Sequence, residues 1–502
     1  MNIKCSIVGK DLYTYKIPKV IRILCSCEEI NNCSIVNKDI TLSISSKLLL
    51  FIKVPVSRNI HIIKDILGLQ CKIRNYEVIE YYVIDRIFIS DIVSSDADHT
   101  TISKLPFSAF YINSGFEIDI NKCYEFEGIN VIEPYTQSIS FIFTKATLIK
   151  SDVDSFILTK DVHSMLKCFN IEHNNNVQII FDYLYNLYES YAYNITRIYG
   201  RFDIHLVTDL MFKSVISYKF DNDIVNEAWL DVLIVGDTRI GKGEVCENLL
   251  NYFGVGDIIS GDMCTIVGLI GAVRKISDTL VITWGKIPQN DRGLLIIDEK
   301  FKLNEAIWSQ LTRIRSKGIA EITKSVIQKA YARTRLLFIC NPNNQSVSSY
   351  SYGIQAVPDI VKSSEDISRF DFVLIVSEHE VDVNEMNKSR EPVKSIHTRE
   401  EERALIMWTW SRDIDDIIFS DAAIQAVYNF SIKLANVYTA FIPLIQGSNI
   451  RVKLTKLAIC FAARLYSNKN NGRKLFIDEI HVRCAYFFLI LYTKRKLVGT
   501  MH

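Results

Sequence analysis

Proline and glycine are scarce in this chain, at 9 and 20 of 502 residues. Such a composition excludes collagen-like and linker-dominated architectures and leaves little room for long flexible tracts. An excess of one charge is also missing, because 58 Lys+Arg against 57 Asp+Glu give a formal net charge of +1. No whole-chain field draws the protein to nucleic acid, so any such binding must rest on a local basic surface. Long apolar runs are missing too. The longest, Leu48–Ile52 and Cys484–Tyr492, fall far short of the roughly 20 residues of a membrane-spanning helix. Met1–Val20 carries scattered lysines where a secretory signal has an unbroken apolar core. The twelve cysteines show no framework spacing and no pair of CxxC motifs. A cytoplasmic protein with reduced thiols and no membrane partner is expected. Cys25, Cys27 and Cys33, with Cys71 farther on, are the one grouping from which an N-terminal zinc site could be built. CxC followed by a lone cysteine is poor spacing for structural zinc, and small buried thiols fit it better.

What is present is globular: 48% hydrophobic and 23% charged residues, in a chain long enough for two or three domains. From Lys4 to about Lys150 the pattern is of short β-type runs such as Val83–Ile89 and Ser138–Phe143. The polar stretch His173-Asn174-Asn175-Asn176 and a helical segment, Val177–Tyr193, follow. We therefore expect a β-rich domain over 1–185 and an α/β core over 190–400, where strands and helices alternate as in a parallel sheet. A helical subdomain over 401–500 would be built from Ala404–Ser411, Asp421–Tyr438, Lys453–Tyr466 and Asp478–Arg495.

Three stretches carry chemistry. The apolar strand Asp231–Val235 runs into Gly236-Asp237-Thr238-Arg239-Ile240-Gly241-Lys242, followed by Gly243 and a helix, Glu244–Tyr252. This is the order a Walker A phosphate loop requires: glycines let the backbone curl so that its N–H groups converge on phosphate oxygens, and the lysine adds a point charge. The hydroxyl that normally follows the lysine and ligates Mg2+ is replaced by Gly243. Water held by a carboxylate could stand in for it, or hydrolysis could be slowed or lost. Gly293–Glu299 is an apolar strand ending in Asp298 and Glu299, the Walker B form. Asp298 would hold hydrated magnesium, and Glu299 would orient and deprotonate the attacking water. Arg335–Cys340 is a third buried strand, ending at Asn341-Pro342. An asparagine there can reach the γ-phosphate or the attacking water, or else only cap a turn.

As an ordered set these motifs resemble the minichromosome maintenance (MCM) helicases of the AAA+ class. The resemblance covers roughly residues 195–500 and rests on Ile198-Tyr199-Gly200, Leu233–Gly243, Ser260-Gly261, Val267-Gly268-Leu269, Ala272-Val273, Trp284-Gly285, Ala332-Arg333-Thr334 through Asn341-Pro342, and Ser368-Arg369-Phe370-Asp371. It implies an α/β P-loop ATPase core with a helical lid, ATP and Mg2+ as ligands, and a mostly β N-terminal domain, in the family an oligonucleotide-binding barrel. Lys242, Asp298, Glu299 and Asn341 would be the cis half of the ATP site. Arg369 would be an arginine finger reaching a neighbouring subunit, which implies a homo-oligomeric ring, a hexamer, around single-stranded DNA. Arg451 or Lys453 would be the second sensor. Lys317–Ala330 resembles the family's pore hairpin, with Lys324 near the DNA-contacting position and Lys317, Arg313, Arg315 and Lys329 making the stretch basic. Departures from the family are Gly241 where it has alanine, Gly243 where it has serine, and no room for a C-terminal winged helix. A protein-remodelling or chelatase-type AAA+ machine and a hydrolysis-poor nucleotide-binding loader or scaffold are the alternative readings.

Overall fold

The computed structural model describes residues 1–25, 38–53, 59–68, 73–91, 107–133, 137–276, 279–298, 305–323, 327–342, 346–381, 384, 389–391, 393–437 and 442–493. The described residues form two compact units: 1–150 with 271–285, and 151–270 with 286–502. The first break therefore falls ahead of the 185/190 boundary expected from sequence. The physical reason is that Lys160–Leu166 and Val177–Tyr191 bury Leu166, Ile180, Leu184 and Leu187 in the same apolar core as the strands of the parallel sheet.

The first unit is built on β1 (Asn2–Cys25), β2 (Ile73–Asp91), β3 (Phe107–Ile112), β4 (Cys123–Ile132) and β5 (Ile139–Leu148). β1 pairs β2, β2 pairs β3, β3 pairs β5 in parallel, β5 pairs β4, and β4 returns to β1 through Asn2↔Glu127 to Ser6↔Cys123. The pairings thus form a closed circuit. Register shifts along β1, between Ile7/Gly9, Lys10/Thr14 and Pro18/Val20, supply the bends that a 24-residue strand needs to serve several neighbours. Cys5, Tyr111, Tyr124, Phe126 and Phe143 fill one core cluster, with Phe126 and Phe143 stacked 4.4 Å apart. One extra element joins this sheet from far along the chain. The hairpin Gly271–Ile276/Thr279–Trp284 pairs its second strand with β1, Gly9↔Thr283 through Asp11↔Val281. The zinc candidates Cys27, Cys33 and Cys71, and the side chain of Cys25, lie outside the described residues.

The second unit holds a five-stranded parallel sheet in the order Asp257–Ser260, Leu294–Asp298, Arg335–Cys340, Asp231–Gly236, Phe372–Val376. The three middle strands and the last are buried along almost their whole length, which is why they read as unbroken apolar runs in place of an alternating pattern. The helices Arg399–Trp410, Asp421–Val437, Ile450–Arg464 and Glu479–Thr493 form the helical subdomain and share the apolar core with the sheet. No described helix is long and apolar enough to cross a membrane.

An ionic centre is buried within that core. Arg464 donates to both carboxylate oxygens of Glu402 (2.8 and 3.0 Å) and lies 3.1 Å from Asp209, while Lys213 pairs with Asp209 (3.2 Å) and Glu402 (3.5 Å). All four side chains are fully enclosed. Burial alone would push the Glu402 carboxyl up, but Arg464 and Lys213 hold it down to about 2. Arg464→Ala would leave two carboxylates facing one lysine without water, so we expect it to destabilise the chain by about 3–5 kcal/mol. Denaturant unfolding checks this, and a change below about 1 kcal/mol would show that the centre is not held by the pairing described.

Candidate nucleotide site

The phosphate loop begins where Asp231–Gly236 leaves the sheet and ends where the helix Lys242–Phe253 starts. Arg239 (φ 61°) and Gly241 (φ 81°) take left-handed backbone, which curls the loop and exposes a helix N-terminus of the kind that receives anions. Gly241 is fixed by contact as well as by φ, because a Cβ there would lie 2.6 Å from Ile198 Cγ2. An alanine here would meet both the left-handed φ and the Ile198 side chain. Thr238 and Arg239 are exposed at its tip and Ile240 is buried beneath it.

Lys242 is buried and its ammonium donates to Gly236 O (2.8 Å), Asp237 O (2.5 Å) and Asn341 Oδ1 (2.9 Å). Those three contacts use all three of its N–H groups. Burial pulls the Lys242 ammonium down to about 8, with Asp237 and Asp298 opposing. Because the strands are parallel, Gly236, Asp298 and Asn341 all leave at the same carboxyl edge of the sheet. Lys242, Asp298 and Asn341 are thereby brought together, as a ligand site at the carboxyl end of an α/β sheet requires. Glu299 and Lys324 lie outside the described residues.

Gly243 is explained by contact. A Cβ at this position would collide with Asp298 Oδ2, so the carboxylate already occupies the space that a side chain would take. Among the described residues, the Asp298 carboxylate is the donor that a divalent cation would meet beside Gly243, with no hydroxyl at position 243, which fits an ion that keeps most of its water, as Mg2+ does.

Asp237 serves the loop as a brace. Its buried carboxylate accepts from Ser346 Oγ (2.9 Å), Val347 N (2.8 Å) and Glu378 N (3.0 Å), tying the loop to the segments after two neighbouring strands. Sequence reasoning assigned Asp237 to nucleotide contact. Nothing in its local motif signals partners 109 to 141 residues away.

Arg369 ends the short helix Ser364–Arg369 and pairs with Glu365 one turn earlier. Its setting is rigid. Phe370 is buried, and Asp371 accepts from Asp231 N (2.9 Å) and pairs with Lys456 (3.0 Å). The Lys453 ammonium donates to the carbonyls of Ser368 (2.8 Å) and Phe370 (2.7 Å), the residues on either side of Arg369. Lys453 is thus a buried strut for the Arg369 turn, while Arg451 pairs at the surface with Asp223 (2.9 Å).

The hairpin expected over Lys317–Ala330 is present as Ile319–Thr323 paired with Ile327–Tyr331. Lys317 is exposed at its base. Its basic character needs correction. Arg315 is buried, paired with Asp231 and Asp366 and set 4.1 Å over the Phe370 ring, so it belongs to the core behind Arg369. Arg313 and Lys329 both pair with Glu321 (2.7 and 3.6 Å), which offsets one of the remaining positive charges.

Comparison with known proteins bears on the same region. The family model for the MCM P-loop domain matches residues 182–394. DNA replication licensing factor MCM4 of Arabidopsis thaliana is 27% identical over 150 residues, 29% of this chain and 17% of that protein. Its Xenopus laevis counterpart mcm4-B is 28% identical over 152 residues, 30% of this chain and 17% of that protein. DNA replication licensing factor mcm7 of Schizosaccharomyces pombe is 23% identical over 273 residues, 53% of this chain and 34% of that protein. The chain spans only 17% to 34% of the length of these relatives. The phosphate loop, the acidic strand end and the asparagine-bearing strand all fall inside the matched segment, so what this chain shares with the MCM P-loop domain lies in residues 182–394 and includes the residues gathered at the sheet edge.

Proposed function

We propose that the protein is an ATP-driven DNA translocase that works as a homo-oligomeric ring, a hexamer, with one strand in its pore. The observation that carries this reading is the meeting of Lys242, Asp298 and Asn341 at one sheet edge beneath a helix N-terminus. ATP enters by exchange. Its phosphates take over the Lys242 N–H groups now spent on Gly236 O, Asp237 O and Asn341 Oδ1, and Asn341 turns to the γ-phosphate or the attacking water. Asp298 would hold hydrated Mg2+, and Glu299 would take the proton of the attacking water. Magnesium, when bound, neutralises charge on the transferring phosphoryl group.

Arg369 supplies positive charge from the neighbouring subunit, held in place by Lys453 and by the Phe370–Arg315 contact beneath it. The closed circuit of strands in the first unit supports an oligonucleotide-binding barrel, and the names of the relatives, DNA replication licensing factors, support DNA as the track.

An ATPase assay across a single-stranded DNA titration tests this. Stimulation is expected, and Lys324→Ala is expected to reduce it by about tenfold while Lys160→Ala, far along the chain, leaves it intact. Hydrolysis indifferent to DNA would favour a protein-remodelling machine. Absence of hydrolysis with intact nucleotide binding would favour the loader reading that Gly243 suggests.

A further inference from the structure

We propose that Cys168, His397 and Glu401 form a zinc-type metal site that clamps the turn Lys167–Phe169 to the start of the helix Arg399–Trp410. The three ligand atoms lie within 4.8 Å of one another. Cys168 Sγ is 3.5 Å from His397 Nδ1, and Nδ1 is 3.9 Å from Glu401 Oε2. A tetrahedral zinc ion with Zn–S near 2.3 Å and Zn–N or Zn–O near 2.05 Å needs separations of about 3.5 Å for S–N and about 3.3 Å for N–O. The first pair already stands at that separation, and the second is wider than it by about half an ångström.

The imidazole is held for this task. Its Nε2 faces Tyr183 Oη at 2.7 Å and its ring packs 4.1 Å from Phe169. With Tyr183 accepting from Nε2–H, the Nδ1 lone pair faces the thiol and the carboxylate, the arrangement that outer partners impose on metal-bound histidines. His397 immediately precedes the N-cap Thr398, and Glu401 in the first turn of the helix brings its carboxylate to within 3.9 Å of the imidazole. Its Oε2 accepts from Thr398 N (2.7 Å) in a capping box, which fixes the carboxylate while leaving lone pairs for a cation.

His397 is buried and Cys168 lies at the surface, so solvent can supply a fourth ligand. A thiol, an imidazole and one carboxylate favour zinc over magnesium or calcium. The site shares no residue with the nucleotide pocket or with the cysteines near residue 25. It joins groups 229 residues apart in the chain.

The test uses the full chain, reduced, stripped by a chelator and reloaded with Co2+, a spectroscopic stand-in for zinc. Bound cobalt and sulfur-to-cobalt charge-transfer absorption are measured for wild type, Cys168→Ser and Glu401→Gln. Glutamine keeps a side-chain oxygen for the cap, so Glu401→Gln spares folding. Cys168→Ser is expected to lose one equivalent of cobalt with its thiolate band, and Glu401→Gln to bind cobalt about tenfold more weakly or worse. Equal cobalt content and identical absorption in wild type and Cys168→Ser would overturn the proposal, whether the metal then sat on other cysteines or did not bind at all.

Discussion

Lys242→Ala is expected to lower kcat for ATP hydrolysis by about 10³-fold, or roughly 4 kcal/mol of transition-state stabilisation. The reason is placement as much as charge. The ammonium sits among the two loop carbonyls and Asn341 Oδ1, where water is largely excluded, so its field on a phosphate is little screened. Stability is expected to change much less, because removing a desolvated ammonium partly offsets the three hydrogen bonds lost with it. A thermal midpoint within a few degrees of wild type alongside the kinetic loss would separate a chemical role from a structural one. The sign of the pH dependence follows from the same burial. The free-state value of about 8 is raised by a bound phosphate, so nucleotide affinity is full below pH 8 and falls as pH climbs past it. A hydrolysis rate reduced less than about threefold would remove Lys242 from the mechanism.

Gly243→Ala is expected to lower hydrolysis by about 10²-fold, with most of the loss in kcat and in magnesium dependence. The methyl group would occupy the position of Asp298 Oδ2 and push the carboxylate off the cation site. Gly243→Ser would restore the hydroxyl familiar from related loops, and on motif grounds alone it should help. The contact with Asp298 leads to the opposite expectation, namely activity below wild type, because its Cβ meets the same oxygen as that of alanine. A magnesium titration of both variants decides the matter. If Gly243→Ser hydrolysed faster than wild type at low magnesium, Asp298 would have to be free to move aside, and its carboxylate would not be what keeps position 243 a glycine.

Much of the α/β core was legible because its strands are enclosed on both faces and each ends abruptly in a polar group. Asp231–Gly236, Leu294–Asp298 and Arg335–Cys340 bring together at one sheet edge the residues where their apolar runs stop, so local sequence sufficed to find them. Long-range partners were not legible. Arg315 reads as one more charge in a basic run, yet its carboxylate partner Asp231 is 84 residues upstream. Lys453 carries the same lesson, since two of the three carbonyls it holds belong to a turn 83 and 85 residues away. The segment 271–285 contributes Ala272-Val273 and Trp284-Gly285 to the resemblance, but its pairing with β1 depends on backbone groups that leave no side-chain signature. The role of Asp298 in excluding a side chain at 243 is likewise a matter of packing between two motifs, each of which reads normally by itself.

The shared composition of the site is best tested by mixing subunits. Lys242→Ala and Arg369→Ala proteins are each expected to be nearly inactive alone, because each lacks one half of every pocket. Combined in equal amounts, about a quarter of head-to-tail interfaces regain both groups, Lys242 from one variant and Arg369 from the other. Recovery of ATP hydrolysis to about a quarter of the wild-type rate is the expected result. A mixture no more active than its separate components would contradict a pocket completed by the neighbouring subunit's Arg369.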